Sequence, residues 1–464
     1  MEIKIKFDNV PYWMEYQNLE YKGPFFHRNT LEIVFVMKGE LTIETDNEEL
    51  VLKEGEFTSI NAGISHILRG SKETYINSLY LNLNYYEKQY PYIHGHSFYC
   101  LYHEDGTDDF ELYYLIRNFF IRLMIIEYLD VEEQFEMGKK ICDTLMNVLI
   151  YHIFDAQFTK NKISVLKLAD KERLFSMTQY LAEHFNQQGL TLADLAANEN
   201  LSTTRLSHFW KSITNISFIE TIGMYRYNEA KRLLMSSDRS VSEISDVCGY
   251  SDEKYLYKVF KQKHDMTPKE FRDHHREILK QPDIYKPYDI TGIYDFLVDY
   301  ASRFYYTITD FSFIEGNPQI IQEEKNLNTL YGVIIAIEKK RKDGEPINDT
   351  TVGLSIGLNR GFRYCDQRFE INWEYMYAVL QITIHHLKKS HIIIPVELMT
   401  IEEWVEMFNE ITEKVKKKWG ESFNSSTHLL ISYLGYDNYA KALKLEKELN
   451  NTKYFAEITT ILSL

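Results

Sequence analysis

The sequence predicts a multidomain chain: a β-barrel, then an all-α tandem helix-turn-helix, then an α/β carboxy-terminal domain. Three observations carry this reading. Short apolar runs separated by Gly and Asn turns fill residues 1–100. A helical segment within 165–280 is duplicated at an offset of 49 to 50 residues. From Val352 onward, strand-like and helical runs alternate, the pattern of a parallel sheet or part of a TIM-like barrel.

Length agrees, since 464 residues at ~100–200 per domain give three domains or four. The expected boundaries are 1–105, a helical linker or dimerisation segment at 106–162, 165–280, and 285–464 after a linker punctuated by Pro282 and Pro287. Hydrophobic residues at 44% and charged residues at 26% exclude wholesale disorder. No apolar run approaches the ~20 residues that cross a bilayer; Phe119–Ile126 is broken by Arg122. The amino terminus has no signal-peptide core, and the four cysteines form no metal-type or redox-type pair. A reducing cytoplasm and no membrane partner are the expectation.

A net charge of −16 excludes bulk electrostatic coating of nucleic acid. Its distribution is uneven. Residues 171–280 carry 16 Lys/Arg and 15 Asp/Glu, a balance of +1, which leaves −17 for the rest. A near-neutral segment in an acidic chain permits a local DNA-binding surface.

In the first domain, Leu31–Met37, Leu41–Glu44, Leu50–Leu52 and Tyr75–Leu83 read as strands, with turns at Lys38-Gly39, Asp46-Asn47 and Lys53-Glu-Gly55. Two helical stripes follow. Leu112, Leu115, Ile116, Phe119, Phe120 and Leu123 form one; Ile141, Leu145, Val148, Leu149 and His152 form the other. Packing on the barrel and a dimer seam are both open for them.

In the repeat, Thr191-Leu-Ala-Asp-Leu-Ala recurs as Ser240-Val-Ser-Glu-Ile-Ser, and Leu206, Trp210 and Lys211 recur as Leu256, Phe260 and Lys261. Each copy reads as a helix, a turn and a second helix. Thr191, Ser202, Ser240 and Ser251 are expected caps; Asn198-Glu-Asn200 and Gly249 are expected turns. Leu192, Leu195, Ala196, Leu206, Phe209 and Ile213 face inward in the first copy, and Val241, Ile244, Val247, Leu256, Val259 and Phe260 in the second. That leaves Thr203, Thr204, Arg205, Ser207, His208 and Lys211 outward on one second helix. On the other, Lys254, Tyr257, Lys258 and Lys261 are outward, with Glu253 at its start.

Such side chains suit a major groove. Arg and Lys donate to guanine, Thr methyls touch thymine, hydroxyls grip phosphates, and Glu253 can accept from cytosine. A stiff helix over 217–235 would hold the two probes at the ~34 Å spacing of successive grooves.

Residues 190–272 resemble the DNA-binding domain of the AraC/XylS transcription regulators. The matching stretches are Leu201-Ser202…Leu206…Trp210-Lys211, Tyr225-Arg226…Ala230-Lys-Arg-Leu-Leu234, Ile244–Asp252 and Tyr255…Val259-Phe260-Lys261…Thr267-Pro268-Lys-Glu-Phe-Arg272. Asn215 and Asp265 stand where the family has glycines, and Trp210 where it has Phe. The resemblance implies double-stranded promoter or operator DNA as partner, a homodimer, and RNA polymerase as a further candidate. It also implies a barrel that binds a small effector, often a carbohydrate, without a metal.

The barrel carries a second resemblance, to the two cupin motifs. His27 is followed by Glu32 and Gly39, and Gly55 by Asn61-Ala-Gly63 and His66. Phe25 and Asn61 stand where the motifs have His and Pro. His27, Glu32 and His66 are a donor set that a divalent metal can use; hydrogen bonding to a sugar is the other reading, and no metal or cofactor is assigned. Tyr12, Trp13, Tyr16 and Phe26 near the same end either stack on a ring or form core; Trp13 joins His27, Glu32 and His66 as the candidate effector set.

Residues 285–464 contain no phosphate loop. Gly353-Leu-Ser355-Ile-Gly357 matches Gly-x-Ser-x-Gly but reads as strand, without the following helix a nucleophile elbow needs. The alternation resembles the first half of a family 39 glycoside hydrolase barrel, too short to close an eight-unit barrel of ~250 residues. The sequence therefore predicts a non-enzymatic, effector-controlled transcription regulator with no catalytic residues assigned. The alternatives are a carbohydrate-active enzyme with an attached DNA-binding domain and a metal-dependent cupin enzyme.

Overall fold

The computed structural model describes residues 7, 10–45, 49–90, 93, 98, 100–102, 110–129, 133–150, 168–214, 216–278, 282–288, 294–308, 311, 318–345, 352–355, 361–365, 368–382, 390–419, 427–452 and 455–462. These group into two compact units. Residues 1–108 with 142–289 form one, and 109–141 with 290–464 the other.

The first unit opens with β1 (Tyr12–Phe25), β2 (Thr30–Lys38), β3 (Glu40–Thr45), β4 (Glu49–Lys53), β5 (Phe57–Ile60), β6 (His66–Arg69) and β7 (Tyr75–Asn82). A short helix α1 (Leu83–Tyr86) and β8 (Leu101–Tyr102) follow. The strands pair antiparallel in the order β4-β3-β6-β1-β7-β2-β5-β8, a near-closed barrel. Glycines with positive φ at Gly39 and Gly55 turn the chain between strands, as the sequence suggested. Leu19, Val34, Val36, Leu41, Ile43, Leu52, Leu68 and Ile76 fill the interior.

The long strand β1 is the hub. Its first half pairs with β7 from Tyr12 to Asn18, and its second half with β6 from Tyr21 to Phe25. Sequence reading did not register this strand.

Helices α2 (Phe110–Leu129) and α3 (Gln134–Val148) cover the stretch expected to be one linker or dimerisation element. Residues up to Ile141 group with the second unit and those from Cys142 with the first. The α2 stripe from Leu112 to Leu123 is buried within one chain, and α2 packs on the helix Tyr294–Phe304 of its own unit. His152 lies outside the described residues.

The helical part of the first unit comprises α4 (Leu168–His184), α5 (Leu192–Asn198), α6 (Thr203–Thr214), α7 (Phe218–Ser236), α8 (Val241–Val247), α9 (Glu253–His264) and α10 (Pro268–Ile278). One core holds Leu174, Leu195, Leu206, Trp210, Phe218 and Ile222; a second holds Tyr227, Ala230, Leu234, Ile244, Leu256, Phe260 and Phe271. Helix α7 therefore plants its first half in one core and its second half in the other. That makes it a braced spacer.

Two local readings are corrected. Val247 is exposed, and Cys248 takes the buried place beside it, because a seven-residue helix presents only two turns to the core. The linker punctuated by Pro282 and Pro287 is partly a strand, β9 (Ile284–Pro287), which pairs antiparallel with Gln17–Tyr21 of β1. Proline is tolerated there because it terminates an edge strand.

The second unit adds α11 (Tyr294–Phe304) and α12 (Pro318–Lys342), then β10 (Val352–Ser355), a hairpin of β11 (Phe362–Cys365) and β12 (Arg368–Ile371), and α13 (Trp373–Gln381). It ends with β13 (Ser390–Pro395), α14 (Ile401–Trp419), β14 (Thr427–Tyr433), α15 (Tyr436–Asn450) and β15 (Glu457–Leu462). The main sheet is parallel and runs β10-β13-β14-β15, in chain order. Such an order fits consecutive βα units and the α/β expectation. Ser355 ends β10 as a strand residue, and residues 356 and 357 are outside the described set.

Within this unit, buried Arg122 donates to Glu374 at 2.7 and 3.1 Å and also to Glu324. Burial works to raise the Glu374 carboxyl, and it stays above its ordinary value despite Arg122.

Candidate nucleic-acid interface and barrel cluster

The two helix-turn-helix copies share their cap chemistry as well as their sequence. Thr191 and Asp194 form a reciprocal capping box on α5, and Ser240 and Glu243 form its counterpart on α8. The duplication extends further. Ser217 and Glu220 cap α7, and Thr267 and Glu270 cap α10 in the same two-way pattern, here 50 residues apart. All four carboxylates sit below their ordinary values, held by hydrogen bonds from their cap residues.

The turns follow suit. Asn200 and Asp265 adopt left-handed φ of 53° and 54°, and Gly249 has φ of 79°. A Cβ on Gly249 would lie 2.4 Å from the Asn186 carbonyl oxygen, so glycine is required there twice over. Asn215 lies outside the described residues.

On α6, Thr203, Thr204, Arg205, Ser207, His208 and Lys211 are all exposed on one side, while Leu206, Trp210 and Ile213 are buried on the other. Phe209 is half-buried. Ser202 accepts from the Arg205 amide, the expected cap. The Trp210 indole donates to Thr221 Oγ1 at 3.1 Å, so the larger ring is accommodated with its polar edge satisfied.

On α9, Lys254, Tyr257, Lys258 and Lys261 are exposed and Glu253 is half-buried. Lys254 projects furthest, 91% exposed and only loosely paired with Asp252 at 3.7 Å. Lys261 reaches back to Asp265 at 2.7 Å, which places its charge at the carboxyl end of the helix. The amino-terminal cap of α9 is Asp252 rather than Ser251: its carboxylate accepts from the Lys254 amide at 2.8 Å. A carboxylate is the stronger acceptor and suits the positive end of the helix dipole, which explains an acidic residue beside a basic face.

Two arginines that sequence reading did not single out for a role brace this framework. Arg226 donates to the Phe185 and Gln187 carbonyls, and Arg272 to those of Leu234 and Arg239. Each ties a helix end to a neighbouring helix.

In the barrel, the structure brings three of the four candidate effector residues together. Glu32 Oε2 lies 3.2 Å from His66 Nε2 and 3.6 Å from His27 Nε2, with all three side chains buried. The other nitrogen of His66 faces the Ile64 carbonyl at 3.1 Å. Burial alone would raise the Glu32 carboxyl, but the His66 imidazole beside it, then the charges of His27 and Lys22, bring it down to about 2.

Trp13 is not in that cluster, and its side chain is 50% exposed. Strand register still relates them. Trp13 is opposite Tyr80, Tyr80 is opposite Glu32, and Glu32 is opposite Ile60. Directly opposed residues share a sheet face, so Trp13, Tyr80 and Glu32 form one row across three strands, with Trp13 at its open end. Tyr12 and Phe26, by contrast, are buried core.

The same face carries a polar group missed from sequence. Glu15 accepts from Gln17 at 2.8 Å and from the Tyr80 hydroxyl at 3.3 Å, and Lys22 lies 3.6 Å from it. The alternation Trp13, Glu15, Gln17 on β1 was the available signal. Among the described residues, no group of three or more His, Cys, Asp or Glu is arranged to hold a metal ion. An ionised carboxylate flanked by imidazoles, a phenol and a half-exposed indole can instead accept and donate to ligand hydroxyls.

A near-closed β-barrel joined to a tandem helix-turn-helix defines a two-module class of chain. Comparison with known proteins narrows it. The family model described as a helix-turn-helix domain matches residues 195–274, and the cupin domain model matches residues 12–76. The chain thus carries an AraC-type helix-turn-helix domain behind an amino-terminal cupin domain.

Among relatives, the xylose operon regulatory protein of Haemophilus influenzae is 40% identical over 76 residues, covering 16% of this chain and 20% of that protein. The raffinose operon transcriptional regulatory protein RafR of Pediococcus pentosaceus is 28% identical over 151 residues, 31% of this chain and 54% of that one. The carboxy-terminal domain of AraT, a response regulator from Geobacillus stearothermophilus, is 31% identical over 22% of this chain and 84% of that structure, with a TM-score of 0.21. The chain spans about a fifth to a half of the length of the curated relatives named here. No helix among the described residues is long and apolar enough to cross a membrane.

Proposed function

We propose that this chain is a cytoplasmic, sequence-specific transcription regulator whose DNA binding is controlled by a small carbohydrate. One observation carries the reading: two copies of one capped helix-turn-helix, joined by a helix rooted in both cores, each keep a polar and cationic face free of the core. The relatives, regulators of xylose and raffinose operons, support a sugar as effector.

In this reading α6 and α9 enter successive major grooves. Arg205 and Lys254 read base edges, Thr203, Thr204, Ser207, His208 and Lys258 grip phosphates or thymine methyls, and Tyr257 and Lys211 flank them. Glu253 accepts from cytosine, and Lys261 contributes charge at the far end. His27, Glu32 and His66 bind sugar hydroxyls, with Trp13 stacking on the ring. The effector acts by favouring one arrangement of the barrel and the reading helices, at a typical coupling of ~1–3 kcal/mol. The chain works as a regulator, not an enzyme, and contact with RNA polymerase follows if it activates. Two copies on one promoter would meet through a surface other than the α2 stripe, since that stripe is buried within one chain.

Footprinting on the promoter of the chain's own gene neighbourhood, with and without D-xylose, L-arabinose and raffinose, tests this. Protection in two adjacent major grooves on one face, altered by one sugar, is expected. No protected region, or turnover of chromogenic glycosides by the purified chain, would overturn it.

A further inference from the structure

Within the first unit, one end of the barrel and the carboxyl end of the second helix-turn-helix flank an open cavity of about 200 Å³. Pro24, Ser65 and His66 line it from the barrel; Met266, Phe271 and His274 line it from the helices. Drug-sized ligands occupy ~300–1,000 Å³, so a molecule no larger than a monosaccharide suits this space.

The lining specifies the ligand's chemistry. Ser65 is almost completely buried and lines the cavity. Its hydroxyl can donate to or accept from a ligand hydroxyl. The His274 ring stands edge-on to the His275 ring, centroids 6.0 Å apart, and is exposed at the rim. Pro24, Met266 and Phe271 offer apolar surface to the C–H face of a ring. Charge is balanced: the Glu44 carboxylate at the wall is paired with Arg69. His264 is engaged by the Tyr227 hydroxyl at 2.6 Å and His275 Nδ1 by the Phe271 carbonyl at 3.1 Å. An anion would find no uncompensated cation here.

We propose that this seam is a binding site for a small neutral polyhydroxylated molecule, separate from the barrel interior. His66 links the two places. Its ring meets Glu32 inside the barrel, while the residue also lines the seam. A ligand in the seam therefore meets β6 at the residue that also holds the barrel cluster. Binding here is a property of the free protein and stands whether or not the chain reads DNA.

Full-length protein carrying isotope-labelled histidine rings tests the site by NMR titration with D-xylose, L-arabinose and D-glucose, with acetate as the anionic comparator. Saturable shifts of the His274 and His275 signals with at least one sugar, and none with acetate, are expected. Ser65→Ala weakens that response about five- to tenfold, the loss of one hydrogen bond. His274→Trp, at an exposed position, fills the cavity and abolishes the His275 shift. The proposal is overturned if no sugar moves either ring up to its solubility limit, or if acetate alone does. A His275 response kept in His274→Trp also overturns it.

Discussion

His66 Nε2 lies 3.2 Å from Glu32 Oε2 inside the barrel, although 34 residues of chain separate them and both side chains are excluded from solvent. Strand β2 delivers the carboxylate and the first residue of β6 delivers the imidazole. A buried carboxylate without such partners would give up its charge.

The first prediction concerns acid. The Glu32 carboxyl falls from an ordinary 4.5 to about 2 in the folded chain. A depressed carboxylate contributes stability that is fully present above the ordinary value and is lost as pH falls through the folded one. The contribution is on the order of 3 kcal/mol at neutral pH. Calorimetry should show Glu32→Gln unfolding at lower temperature than the parent at pH 7. The gap should narrow below about pH 4.5. An equal gap at every pH would mean that the charge is not what stabilises the site.

DNA affinity gives the second. Arg205→Ala or Lys254→Ala should weaken specific binding by ~1–3 kcal/mol and relax preference at one base position. Anisotropy titrations against the footprinted site, with single-base variants, measure both effects. Unchanged affinity and preference would remove the residue from the reading surface.

The third tests the turn before α9. Gly249→Ala combines a φ of 79° with a Cβ placed 2.4 Å from a backbone carbonyl oxygen that cannot swing away. The cost should exceed ~2 kcal/mol and appear as lost thermal stability together with lost DNA binding. Retention of both would show that α8 and α9 tolerate a rearranged turn.

A fourth addresses the carboxy-terminal unit. Arg122→Met leaves Glu324 and Glu374 buried without their shared cation. Removing one partner of a buried ion pair costs ~3–5 kcal/mol. A scan of the full chain should show this unit melting earlier, and Arg122→Met combined with Glu324→Gln and Glu374→Gln should recover part of the loss. If Arg122→Met melts like the parent, the cluster is not a stabilising element.

Local chemistry in the chain was enough to specify the helix-turn-helix copies. Thr191, Ser202 and Ser240 cap where their hydroxyls face a helix start, Gly249 turns where only glycine fits, and Leu206 and Leu256 set which face is buried. Each rests on contacts a few residues apart, so the order of residues encodes it directly. Even here the sequence pointed to Ser251 as the cap, and the backbone placed the Asp252 carboxylate at the helix end.

Distant pairings were decided only by the tertiary structure. The row of Trp13, Tyr80 and Glu32 depends on the register of three strands. The addition of β9 to β1 joins Tyr285 to Leu19 through backbone groups that carry no residue signature. The α2 stripe could bury itself against any apolar partner, and hydrophobic burial is non-directional; the competing surfaces in the folded chain chose the carboxy-terminal unit.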